Sequence, residues 1–154
     1  MSERLFGRIF GRATSAVSAA VEPVLDERAE LAQMVDRADA QVEAAAGTLP
    51  ADAVVLARRV TDRLRVVLAR DEIRTEVRVA VRGMAGDYLP TSVSRHLAVV
   101  RHDHDHAHDA RLVDQLEVLH GAAEELVEAV VDDDLRALEA QGIFLETRFT
   151  GSDL

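Results

Sequence analysis

The sequence contains no cysteine, no lysine, no asparagine and no tryptophan. Without cysteine there are no disulfides, thiolate metal sites or cysteine nucleophiles. All 18 basic residues are arginine. A Walker-type phosphate loop, a kinase site and a Schiff-base mechanism each need lysine, so all three are excluded. Aromatics are sparse, with only Phe6, Phe10, Tyr88, Phe144 and Phe149. Long apolar runs are missing too. Near the N-terminus the longest uncharged stretch is Ala13 to Val21, far short of the roughly 20 residues that cross a bilayer. Abundant Ala, Arg and Val with no Lys or Asn fit the codon usage of a GC-rich bacterium, and a cytoplasmic location is expected.

What is present is aliphatic and charged. Hydrophobic residues make up 48% of the 154, enough for one domain with a real core. The net charge is −10, which disfavours nucleic acid as a partner. The charge is uneven. Residues 55–82 carry eight Arg against four acids, and residues 102–154 carry fourteen acids against three Arg. The simplest consequence is that the two segments lie together in the folded chain.

Helical spacing runs throughout, and strand alternation is nearly absent. The fold class is therefore all-α, an antiparallel bundle of five to seven helices. Residues 1–22 form an amphipathic segment. Leu5, Phe6, Ile9 and Phe10 lie on one face, and Arg4, Arg8 and Arg12 on the other. Residues 4–21 could dock on the bundle, on a second subunit or on a membrane surface. The bundle domain spans 23–150. Its stripes are Leu31, Met34, Val35, Ala38, Val42 and Ala45, then Leu56, Val60, Leu64, Val67 and Leu68, then Ile73, Val77, Ala80, Val81 and Met84.

Between Leu68 and Ile73 the apolar direction jumps by roughly 200° at 100° per residue. A break is predicted at Ala69–Asp71, with Asp71 capping the next helix. Leu89 precedes a proline and is predicted to leave the helical region while staying buried. A short helix with Val93, Leu97 and Val100 follows. A long helix then carries Leu112, Leu116, Leu119, Ala123, Leu126, Val127 and Val130, with a kink or cap predicted at Asp132–Asp134.

Three features could carry function. His102, His104, His106 and His108 alternate with Asp in a connector at 102–109. Imidazole binds zinc, nickel or copper, and Zn or Ni is the ion such a tract would take. A solvated linker is the plainer reading. Arg74, Arg78 and Arg82 form a ridge that pairs with the acidic C-terminal helix or meets an anionic partner. The N-terminal segment is the third.

Tyr88-Leu89-Pro90, Val93 and His96 are followed at the end of the chain by Phe144-Leu145-Glu146-Thr147-Arg148-Phe149. This pattern over residues 71–149 resembles a bacterial family of helical proteins named for 5-bromo-4-chloroindolyl phosphate hydrolysis. His96 stands where that family has Tyr. The resemblance implies a helical domain acting near the membrane or in a stress response, and it supplies no catalytic residues. Tyr88 and Phe149 are expected to be core anchors. The function expected is a non-enzymatic interaction or stress-associated module with a protein partner or self-association. A metal-binding protein and a metal-dependent phosphoester hydrolase are the alternatives.

Overall fold

The computed structural model describes residues 26–102 and 106–150, with side chains through residue 140 except Leu138. The N-terminal segment 1–22, His104 and the side chains of Phe144 and Phe149 lie outside the described residues. Helix is the only regular secondary structure among the described residues, with no strand among them. Helix α1 covers 26–45, α2 Ala51–Leu68, α3 Thr75–Gly83, α4 Leu89–Val100 and α5 Asp109–Thr150. A π-helical turn, Met84–Tyr88, joins α3 to α4.

The apolar stripes become the core. From α1, Leu31, Val35, Ala38 and Val42 are buried. The turn at 46–50 tucks Leu49 inward, and Pro50 stands just before α2 with its φ already near the helical value at −57°. In α2 the buried face is centred on Ala53, Ala57, Val60 and Leu64. Two alanines there let neighbouring backbones approach closely. Thr61 is also fully buried, and its hydroxyl donates to Asp39 Oδ1 at 3.0 Å and to the Arg58 carbonyl at 3.0 Å. In α5, Leu112, Leu116, Ala123 and Val130 are buried, with Leu119 and Leu126 packed against them.

The break after Leu68 falls where the phase change places it, since α2 ends there and α3 starts at Thr75. Asp71 is not the cap. Arg74 holds that position without a side-chain cap bond, and the Asp71 carbonyl instead accepts from Arg28 Nη2 at 2.7 Å. An arginine from α1 thus fastens the connector.

Leu89 does not leave the helical region. Its φ and ψ are −66° and −53°, and it is fully buried. The reason lies in the spacing of the core. Val77, Val81, Ala85, Leu89 and Val93 are all buried at intervals of four. In an α-helix each such step drifts by about 40°, or about 160° over the run. The π turn inserts one residue and turns the stripe back by about 100°. The Leu89 N–H reaches the Met84 carbonyl, five residues back. A wider turn also gives the Pro90 ring room. The inserted residue is turned outward, so Tyr88 is 64% exposed and is not a core anchor.

No helix end or cap falls at Asp132–Asp134, for α5 runs unbroken through those residues. Asp133 pairs with Arg74 at 2.8 Å, and Asp134 pairs with Arg70. These acids bind across the molecule and do not turn back on their own backbone.

Candidate functional site

Two adjoining concavities lie between the α3–α4 limb and α5. The larger is an apolar groove of about 820 Å³. Val79 comes from α3, where Val77 and Val81 point inward and leave it outward. Tyr88 is delivered by the π turn. Val118 stands on α5 away from the Leu112–Leu116 stripe. These three are 64%, 64% and 76% exposed. Ala80, Met84, Leu119 and Ala122 form the groove's floor and sides.

The second cavity, of about 400 Å³, is polar. Ser92, Arg95 and His96 from α4 face His108, Arg111 and Gln115 at the start of α5. Ser92, Arg95 and Gln115 line both spaces, so the apolar groove runs into a cationic end. His96 takes the position after Leu89 and Val93 on the inner face of α4, and its side chain is only 3% exposed. Its Nε2 stands 3.2 Å from Asp109 Oδ1, but not in hydrogen-bond alignment. Both atoms are buried without a hydrogen-bond partner among the described residues. The other Asp109 oxygen, Oδ2, is 3.0 Å from His106 Nδ1. His106 itself has φ of 54°, the left-handed conformation at which the connector turns into α5.

The residues singled out by sequence fall as follows. His102 and His106 are exposed, and His108 is half-buried. Among the described residues no group of three or more His, Asp or Glu side chains gathers in an arrangement that could hold a metal ion. Arg74, Arg78 and Arg82 each face an acid: Asp133 at 2.8 Å, Glu27 at 3.7 Å and Glu30 at 3.4 Å. The ridge is thus drawn inward toward α1 and α5. A further cluster joins α1 to α2, where Arg65 meets Asp36 at 3.1 Å and Asp39 at 3.2 Å. Burial is the largest single influence on Arg65 and opposes its charge. The two carboxylates together outweigh it and hold the guanidinium above the ordinary arginine pKa.

The periodicity reading missed the groove and the His96–Asp109 contact. Val79 and Val118 interrupt their stripes as lone apolar residues, and that was the available signal. His96 had one too, since it continues the spacing of Leu89 and Val93. No helix among the described residues is long and apolar enough to cross a membrane. Comparison with protein-family models, with curated proteins and with solved structures finds no match for this chain.

Proposed function

We propose that this chain is a non-enzymatic helical interaction module of the bacterial cytoplasm, and that its apolar groove receives α5 of a second copy. The exposed trio Val79, Tyr88 and Val118 carries this reading. Large apolar side chains clustered in the open favour a docked partner. Charge complementarity selects the occupant. Glu128, Val131, Leu135 and Glu139 follow one another on one face of α5, since residues three and four apart are neighbours on a helix. Val131 and Leu135 are 37% and 52% exposed, and both flanking acids are exposed as well. An apolar pair bracketed by carboxylates suits a groove that ends at Arg95, where the acid on its wall, Asp87, already accepts from Thr91 at 3.1 Å. The chain's own N-terminal segment, with Arg4, Arg8 and Arg12, suits that end poorly.

The same reading includes antiparallel packing of five to seven helices. Its support is the order of contacts along neighbouring limbs. Asp36 and Asp39 pair with Arg65 across the turn at 46–50, and Arg74 pairs with Asp133 while His96 meets Asp109. The family resemblance over 71–149 belongs to it as a proposal also.

Light scattering coupled to size exclusion, on the full chain at about 100 µM, tests the docking. The wild type is expected to associate. Val118→Asp and Leu135→Asp, at opposite sides of the contact, are each expected to give monomer. A monomeric wild type, or association untouched by both substitutions, would sink the proposal.

A second reading has one observation behind it. A carboxylate bound to one imidazole nitrogen orients the ring and leaves the other free for a metal. Asp109 holds His106 Nδ1 in that way. Calorimetric titration with Zn²⁺ or Ni²⁺ at neutral pH is expected to show binding that disappears when His102, His104, His106 and His108 are all changed to Ser. The melting temperature should move little with metal, because the core does not depend on the connector. No heat of binding would dismiss the metal; a rise of tens of degrees would make it structural.

A further inference from the structure

We infer that the polar cavity between α4 and the start of α5 is a binding site for a small oxyanion, the phosphate or carboxylate group of a ligand. Arg95 and Arg111 line it together, and neither makes an ion pair or hydrogen bond with another described residue. Unpaired arginines occur elsewhere, as at Arg58 and Arg59. Those stand on an outer face of α2, whereas Arg95 and Arg111 border one concavity from two helices. In a chain of net charge −10, an acid would readily have been recruited to such a pair. Arg63, Arg70 and Arg74 all have one.

His96 supplies an independent observation. Its side chain is 97% buried, it lines this cavity, and its Nε2 has no hydrogen-bond partner among the described residues. A buried polar atom left unsatisfied costs stability and calls for a cause. The nearest acceptor, Asp109 Oδ1 at 3.2 Å, is out of hydrogen-bond alignment and itself unpartnered among the described residues, so a ligand oxygen entering from the cavity supplies the bond that Asp109 does not. Ser92 and Gln115 add neutral donors at the rim. The guanidinium fork matches carboxylate and phosphate oxygens two at a time. α5 begins beside the cavity, and the positive end of its dipole favours negative charge. Asp87 lines only the adjoining groove, and the carboxylate nearest His96 is Asp109, with Oδ1 3.2 Å from Nε2 and Oδ2 3.0 Å from His106 Nδ1. Two guanidiniums and a helix N-terminus outweigh it.

Arg111 and His96 line only the polar cavity, whereas Ser92, Arg95 and Gln115 border the docking groove as well, so Arg111 is the position that tests this site alone. The test is titration of the isotope-labelled full chain with inorganic phosphate and, separately, with acetate at low ionic strength, followed by NMR. Saturable shifts are expected at the amides of Arg95, His96 and Arg111. Arg111→Gln is expected to weaken binding at least tenfold, while Arg58→Gln leaves it unchanged. Stronger binding of phosphate assigns the site to a phosphate ester, and stronger binding of acetate to a carboxylate. Both exposed arginines can be replaced without touching the core, so unchanged melting curves will show that loss of binding is local. Failure to bind either anion, or an equal loss in Arg58→Gln, overturns the inference.

Discussion

Leu89→Ala is expected to lower the free energy of unfolding by about 2–5 kcal/mol, the range for deleting a fully buried leucine. Leu89 is 0% exposed and belongs to the core shared by all described helices. It also sits at the seam between the π turn and α4, where it donates the five-residue hydrogen bond to Met84. Neighbouring backbone there is fixed by Pro90, so collapse around a cavity is restricted. Tyr88→Ala is the control. With its ring 64% exposed, the loss should stay below about 1 kcal/mol. Chemical denaturation of both variants decides the matter. A loss under 1 kcal/mol for Leu89→Ala would mean that the core does not close around the seam.

Deleting Gly86 is expected to be at least as damaging. The deletion shortens the π turn by one residue and returns it to α-helical spacing. Everything after it then rotates by about 100° relative to α3. Leu89, Val93 and His96 would swing from the core toward solvent. Burial of a Leu or Val side chain contributes about 1.5–3 kcal/mol, so losing the first two costs about 3–6 kcal/mol. Helix content by circular dichroism should remain high, because an α-turn replaces the π-turn, while cooperative melting weakens or vanishes. If the deletion variant melts within a few degrees of the wild type, the π turn is not what sets the phase of α4.

These two experiments bear on what was legible in the sequence. The stripe through Leu31, Val35, Ala38 and Val42 was readable because a surface helix must show one apolar face, and so was Leu112 to Val130. The interruption after Leu68 was readable for the same reason, since one straight helix cannot present two opposed faces to one core. The passage through Leu89-Pro90 was not. Proline propensity argues for a break, but it is a local preference, and a five-residue spacing lets the helix continue past it. Asp132–Asp134 misled in a similar way. Three successive acids look like a cap until Arg70 and Arg74 of the 69–74 connector are known to lie opposite them. The groove was hidden because Val79 and Val118 are defects in a pattern, and periodicity discards defects. The polar cavity was hidden because Arg95 and Arg111 come together only through the pairing of α4 with α5. Sequence distance says nothing of that.

The ion pairs that tie the limbs together have a consequence for how the molecule meets its solvent. Most are at least one-third exposed on each side, and such pairs contribute about 0–1 kcal/mol. They choose which helix lies beside which, and they hold little energy in reserve. Along the outer face of α5 the balance is different. Glu125, Glu128 and Asp132 are exposed and make no ion pair with the described residues. At three- and four-residue spacing they stand about 5–6 Å apart and repel by a few tenths of a kcal/mol each. That distance is shorter than the Debye length of about 8 Å at physiological salt. Added electrolyte therefore loosens one set of contacts and relaxes the other. The outer edge of α5 behaves as a short polyelectrolyte, gathering a sheath of counterions whose release or retention sets the ionic-strength response of anything that lies against it.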